Sequence, residues 1–315
     1  MNVYIPFICL AVGAAINWKG LPAPVLKAFD YCTNGALLLL MLVIGLNIGV
    51  SDKVMSNLGN IGFNCIVISL VAIAVSVFFA YLAELTIMPL EKIRLQLAAE
   101  NNRLDSQLDS NGSGFSPLVI IMPLCIAIGI VLGYLYMSDI SPSTLSLTLT
   151  VSLIFLYTGV GVSVASNKSV FTYIKKLGFR VLFMPIAVFL GCVIGGFLSG
   201  LLLGVPVSWS TLSASGMGYY SLTGAFLTEN YGIEAGTYGF IVNVSRDVFT
   251  VMLLPILSKI SKGSPIASGA AGCMDSMLVP VAKVVGPELA MVALISGTIL
   301  TFLVPLWLPV AQLLF

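Results

Sequence analysis

The chain has 315 residues, 58% of them hydrophobic and 9% charged, with a net charge of +1 and a mean hydropathy of +1.07. Too few polar groups are present to coat a soluble globule, so the sequence reads as an integral membrane protein. The near-neutral charge gives no footing for a nucleic-acid partner. With no histidine, and six cysteines scattered singly (Cys9, Cys32, Cys65, Cys125, Cys192, Cys273), there is no pattern for zinc, haem or a disulfide framework, and no metal, cofactor or catalytic residue is expected.

The apolar runs are long and separated by short polar turns, which fits α-helical spans rather than the short alternating strands of a barrel. An all-α fold is expected. The opening residues, Met1-Asn2-Val3-Tyr4-Ile5-Pro6, lack the basic region and small-residue cleavage site of a signal peptide, so residue 1 is expected to enter the membrane directly. Spans are predicted at 3–17, 33–51, 60–83, 117–137, 145–165 and 178–204. Laid alternately across a bilayer, they gather Lys19, Lys27, Lys92, Arg94, Arg103, Lys168, Lys175, Lys176 and Arg180 on one side and only Lys53 on the other. The positive-inside rule makes the first side cytoplasmic and puts the N-terminus outside.

These six spans repeat. Cys9-Leu10-Ala11-Val12-Gly13 returns as Cys125-Ile126-Ala127-Ile128-Gly129, and Gly45-x-x-x-Gly49 is answered by Gly159-x-Gly161-x-Ser163. Three spans per unit makes the second unit inverted, so 1–84 and 117–206 are read as inverted three-span repeats. Between them, 85–116 carries Leu90, Ile93, Leu97, Leu104 and Leu108 at helical spacing and then Asp109-Ser110-Asn111-Gly112-Ser113-Gly114. A cytoplasmic amphipathic helix followed by a linker is expected there. Gly191, Gly195, Gly196, Gly200 and Gly204 form a surface for close helix contact, either internal or at a homodimer seam.

A second repeat fills 207–315, read as the transport core. Ala214-Ser215-Gly216-Met217-Gly218-Tyr219-Tyr220-Ser221-Leu222 is echoed by Ala267-Ser268-Gly269-Ala270-Ala271-Gly272-Cys273-Met274-Asp275-Ser276-Met277, and each leads through Gly-x-Glu (Gly232 and Glu234, Gly286 and Glu288) into a long apolar helix. Short, interrupted apolar segments in matching positions are where secondary transporters place their binding sites. If 208–230 crossed fully, Lys259 and Lys262 would fall outside, against the charge rule. A dip-and-return path restores it, so 208–230 and 264–284 are predicted as two opposed re-entrant hairpins beside about eight spans, with both termini outside. The alternative is a pair of ordinary helices with glycines for packing.

Charges inside a membrane are costly and mark candidate sites. Arg246 and Asp247 lie mid-span with Asn243 one turn before, Glu229 ends the first hairpin, and Asp275 sits in the second among Gly272, Cys273, Ser276 and Met277. A break at Asp275 would put free carbonyls beside its carboxylate, a seat for a cation, although capping of the following helix is the alternative. Glu229 either ligates a cation or sits at the outer surface. Adjacent residues on a helix diverge by about 100 degrees, so Arg246 and Asp247 need separate partners, and Asp275 or a substrate carboxylate are the options for Arg246. Ser213, Ser215, Tyr219, Tyr220, Ser221 and Thr223 supply hydroxyls, Gly216 and Gly218 allow close backbone approach, and a half-helix starting there would aim its positive end at an anionic group.

Residues 214–224 with Leu227-Thr228-Glu229, then Asn243-x-x-Arg246-Asp247, then Cys273-Met274-Asp275-x-x-Leu278-x-Pro280-Val281, resemble the lysine exporter (LysO) family of bacterial inner-membrane proteins, in order and spacing, across 210–312. Tyr219, Asp247 and Cys273 depart from the family pattern, which usually has Trp, Glu and Ser there. The resemblance implies export of L-lysine, with membrane lipid as the surrounding partner. Moving a cation out of an inside-negative cell costs about 2.3 kcal/mol per 100 mV, so uphill export needs inward H⁺ or Na⁺. Without histidine a proton carrier has to be a carboxylate, Asp275 or Glu229. Transport of another amino acid or an organic anion through Arg246, and passive conduction, are the rival readings. An intramembrane hydrolase lacks both a Ser-His dyad and a Gly-x-Gly-Asp signature.

The re-entrant topology is testable by labelling. A cysteine at Ser261 is expected to react only with reagents that reach the cytoplasm, and one at Ser208 with impermeant external reagents; external labelling at Ser261 would sink the hairpin arrangement.

Overall fold

The computed structural model describes residues 4–17, 22–90, 117–136, 142–166 and 178–314. The expected 85–116 segment lies outside them apart from residues 85–90, as do most of the basic residues used to orient the chain. The described residues hold no strand. The first part of the chain gives α1 (Tyr4–Ile16), α2 (Ala23–Val50), a short α3 (Asp52–Ser56), α4 (Leu58–Thr86), α5 (Pro117–Tyr136), α6 (Pro142–Ser166) and, after a 3-10 turn at Phe179–Leu182, α7 (Phe183–Leu203). Helix α2 begins ten residues before the predicted span, because Pro24 fits a first helical turn, where its missing N–H costs nothing, and Lys27 stays exposed.

The second part is interrupted where the glycines and serines cluster. Helix α8 (Val207–Ala214) stops, and α9 (Tyr220–Tyr231) resumes after a five-residue break, followed by the long α10 (Ile233–Ile260). Helix α11 (Gly263–Gly269), a 3-10 turn (Ala270–Met274) and α12 (Leu278–Val285) repeat the pattern before α13 (Pro287–Ala311). Among the described residues, five helices are long and apolar enough to cross a membrane, and α1, α5 and α6 contribute shorter apolar helices. This is a multi-pass integral membrane protein.

Helix packing follows a fixed offset. The extensive contacts in the first part are α4 with α7, α2 with α5, and α1 with α6. Gly45 meets Gly129 with its Cα against the Ile126 carbonyl, and Gly161 meets Gly13 in the same manner against the Leu10 carbonyl; a methyl on any of the four would overlap partner backbone. Gly13 and Gly129, Gly45 and Gly161, and Leu10 and Ile126 are each separated by one and the same interval. Ser76 Oγ and Cys192 Sγ, 116 positions apart, touch each other at 3.2 Å where α4 crosses α7. That common offset of 116 relates α1 to α5, α2 to α6 and α4 to α7. The Ser76–Cys192 contact lies where the two units meet.

Between lipid-facing helices there is no hydrophobic drive to associate, so close glycine contact carries much of the packing. Gly129→Leu is therefore expected to destabilise the protein by about 1–3 kcal/mol or more, whereas Gly59→Leu, which meets nothing within 4 Å, should be tolerated. Thermal unfolding in detergent, followed by size exclusion, would distinguish the two; equal midpoints would count against the α2–α5 glycine contact.

Candidate functional site

The two breaks are held by one helix. On α10, Asn243 reaches the first: its Nδ2 donates to the Ser213 carbonyl at 2.9 Å and the Gly239 carbonyl at 2.7 Å, and its Oδ1 accepts from the Gly218 N–H at 2.7 Å. One turn on, Arg246 reaches the second. Its Nε donates to the Ser268 carbonyl at 2.9 Å, its Nη2 to the Ala267 carbonyl at 2.9 Å and its Nη1 to Cys192 Sγ at 3.0 Å. Thr250 adds a bond from its Oγ1 to the Ser268 carbonyl at 3.0 Å. Apart from Gly239, which lies within α10 itself, the carbonyls so satisfied lie at the ends of α8 and α11, where helix termination leaves acceptors without intrahelical partners. Arg246 is 2% exposed, and its nitrogens bond backbone carbonyls and a thiol rather than Asp275, one of the two partners open to it from sequence.

Contacts along α10 also fix the course of the first segment. The Trp209 and Tyr238 rings lie 6.1 Å apart, Ser213 and Gly218 bond Asn243, Gly239 packs against Thr223, and Gly236 packs against Gly224 and Thr228. The chain thus advances along α10 toward Asp247 and comes back.

The breaks repeat in backbone as well as in sequence. Met217 (φ 55°) and Ala270 (φ 45°) are the non-glycine residues with positive φ among those described, and each is the fourth residue of its Ala-Ser-Gly-x stretch. Such a conformation is costly for a side chain with a Cβ and persists only when its surroundings enforce it. Here the enforcement is mutual: the Ala271 N–H donates to the Met217 carbonyl at 3.0 Å, joining one break to the other. Gly218 follows at φ 98°. Thr301 on α13 donates to the Ala271 carbonyl at 3.2 Å, and Gly297 lies against the backbone of Cys273 and Met274.

Where the breaks meet, a cavity of about 290 Å³ opens, near the small end of ligand sites. From the breaks it is lined by Gly218, Tyr219, Tyr220, Ser221, Asp275 and Ser276, which are predicted from sequence, and by Ala271, Gly272 and Met274, which are not. Facing them are residues the sequence reading passed over: Thr33, Asn34 and Leu37 of α2, Leu156 and Val160 of α6, and Thr301 and Phe302 of α13. A Thr-Asn pair in an otherwise apolar stretch was the available signal. Asp275 does not cap α12, whose N-cap is Met277; its Oδ1 accepts the Ser276 N–H and its carboxylate faces the cavity. Asp247 lies just behind, 7% exposed. Its Oδ2 accepts from Ser276 Oγ at 3.3 Å. Its Oδ1 sits between the breaks, with a methyl at either Gly218 or Gly272 coming within 3.3 Å of it, and has no hydrogen-bond partner among the described residues.

The other predicted residues serve elsewhere. Ser213 and Ser215 are buried, with Ser215 Oγ bonded to the Leu212 carbonyl at 3.1 Å. Gly216 abuts Thr223 and Asn243, so a side chain there would collide with both. Glu229 is not at the cavity; it accepts from Thr150 Oγ1 at 2.9 Å, on the far part of α9.

Because a lysine offers one nitrogen where the guanidinium offers three, Arg246→Lys leaves at least one of the Ala267, Ser268 and Cys192 acceptors without its donor. The expected cost is about 1–3 kcal/mol, read as a lower thermal midpoint in detergent. An unchanged midpoint would mean that Arg246 does not hold the second break.

The family described as "Lysine exporter LysO" matches residues 7–99 and 123–312 of this chain. The lysine exporter LysO of Escherichia coli (strain K12) is 30% identical over 147 residues, 47% of this chain and 49% of that protein. A putative lysine exporter of Haemophilus influenzae is 29% identical over 119 residues, 38% of this chain and 61% of that protein. The chain therefore spans about half to three-fifths of the length of these relatives in the matched regions. Since the family match runs from α1 through α13 and takes in both breaks and the Asn243–Asp247 segment, the chain belongs to the lysine exporter LysO family.

Proposed function

We propose that this protein exports L-lysine across the bacterial inner membrane by antiport with H⁺ or Na⁺. The carrying observation is the cavity between the breaks, which sets the Asp275 carboxylate and several hydroxyls against Leu37, Leu156, Val160 and Phe302. Such a lining suits a molecule with an ammonium at one end and a run of methylenes behind it. Helix α9 starts at Tyr220 beside the cavity, so its positive dipole end favours a substrate carboxylate there. The E. coli relative carries the name lysine exporter, which agrees with this chemistry.

In this reading 1–84 and 117–206 are inverted repeats forming a frame, and 207–315 is the moving core built on two re-entrant hairpins. The out-and-back register of the first segment along α10 supports the hairpin, and the common offset of 116 supports the inversion. Asp275 binds either the substrate ammonium or a proton, which makes exchange a competition. The rival anion reading is weakened by Arg246, whose three nitrogens all bond within the protein.

Counterflow in proteoliposomes with labelled lysine, arginine, ornithine and glutamate, with and without a pH gradient, tests the proposal. Lysine exchange is expected, weakening as the pH is lowered, and Asp275→Asn should abolish it while the protein stays folded in the membrane. Exchange of glutamate but not lysine would favour the anion reading. Lysine binding that is flat with pH but responds to sodium would replace the proton cycle by a sodium cycle.

A further inference from the structure

The two interrupted segments resume in matching ways but use their hydroxyls differently. Tyr220-Ser221-Leu222 opens α9 where Asp275-Ser276-Met277 leads into α12. Ser276 Oγ is engaged inside the protein, donating to Asp247 Oδ2 at 3.3 Å. Its counterpart Ser221 is 2% exposed and lines the cavity, yet its hydroxyl makes no hydrogen bond among the described residues. Burying a hydroxyl without a partner sacrifices its hydration for no return, so one left open on a cavity points to a ligand that engages it.

The end of the helix it opens is also unfilled. Helix α9 is 12 residues long, and its N-cap, Tyr219, makes no side-chain capping bond. In its first turn the N–H groups of Ser221 and Leu222 have no acceptor among the described residues. Neither nearby acid turns to them: Asp275 Oδ1 accepts from the Ser276 N–H, and Asp247 Oδ1 has no partner there. Oriented N–H groups and the positive end of the helix dipole together make a seat for an anion. On the opposite wall, the Thr33 hydroxyl and the Asn34 amide of α2 are further polar groups without hydrogen-bond partners among the described residues.

We propose that Ser221 is a specificity-determining residue. With the Ser221 and Leu222 N–H groups it binds the substrate's α-carboxylate, while Asp275 on the other segment takes an ammonium. The site thereby selects an intact cationic amino acid over a diamine of the same length. With Asp275 and an apolar wall alone, any primary amine of suitable length would fit. The donors at α9 find an acceptor only in a substrate that carries a carboxylate, and a site built to hydrogen-bond a group discriminates strongly against an analogue lacking it. The inference rests on the lysine-export reading and adds to it the second anchor that sets the substrate class.

The test uses the full chain in proteoliposomes, measuring exchange of labelled L-lysine against unlabelled L-lysine, L-lysine amide or cadaverine. In the wild type, half-inhibition by the amide and by cadaverine is expected to need at least about tenfold more compound than half-inhibition by L-lysine, the size of one lost charge-assisted hydrogen bond. Ser221→Ala should raise the value for L-lysine about tenfold and leave the other two within about twofold, so that the advantage of the carboxylate disappears. Because the hydroxyl bonds nothing within the protein, the thermal midpoint of this variant in detergent should stay that of the wild type. Equal inhibition of the wild type by all three compounds would overturn the proposal, and that comparison decides it even if the variant does not insert. An equal loss for all three compounds in Ser221→Ala, the mark of a purely structural role, would overturn it as well. Failure of the wild type to exchange lysine at all would instead overturn the export reading, so the two failures are separable.

Discussion

A buried guanidinium organises the interrupted part of the fold. Arg246 lies at the centre of the fold, reaching Cys192 where α4 crosses α7 and the Ala267 and Ser268 carbonyls where α11 ends. An unpaired charge in this position would cost several kcal/mol, and no carboxylate among the described residues bonds it directly. The carbonyls left free by a terminated helix do so instead. The interaction is reciprocal: the break needs a donor for its acceptors, and the guanidinium needs acceptors for its donors. With Asn243 performing the same task for the first break, one helix holds both interruptions in register, and the Ala271-to-Met217 hydrogen bond joins them. Non-helical backbone survives at membrane depth only under such full satisfaction.

From that constraint the cavity follows. Two breaks held tip to tip leave a space between them, where the first tip carries Met217 between two glycines and the second is Ala270-Ala271-Gly272. The polar side of the space is the breaks themselves, with Asp275, Ser276 and the start of α9, and the apolar side comes from α2, α6 and α13. A carboxylate thus lies at the meeting point of the two interrupted segments. The strained φ angles at Met217 and Ala270 belong to the same contact, since each tip is fixed by its neighbour rather than by its own preference.

The frame is built by a different means. Glycine pairs let α1 approach α6 and α2 approach α5 at backbone distance, and the two contacts are copies of one another at an offset of 116. In this structure α9 is seated on α2 and α6, and α12 is not.

Much of this was legible in the sequence because it depends on local composition. The apolar runs gave the helices, the Gly and Ser clusters gave both breaks, and the recurrence of Cys9–Gly13 at Cys125–Gly129 exposed the repeat. Asn243, Arg246 and Asp247 stood out as polar groups in an apolar helix, and Asp275 as an acid beside glycines. What the sequence could not give was which of these groups meet. Asp275 was one partner open to Arg246 by charge, yet its nitrogens bond Ala267, Ser268 and Cys192, because backbone carbonyls at a helix end carry no mark in the residue pattern. Glu229 and Asp275 read alike as acids at the edge of an interrupted helix, yet one meets Thr150 and the other faces the cavity. Thr33, Asn34 and Thr301 became wall residues only when α2 and α13 folded against breaks nearly 200 and 30 residues away. The sequence by itself determined where the helices run and where they fail; tertiary packing decided which failures touch, since contact between distant segments depends on the shapes of all the helices between them.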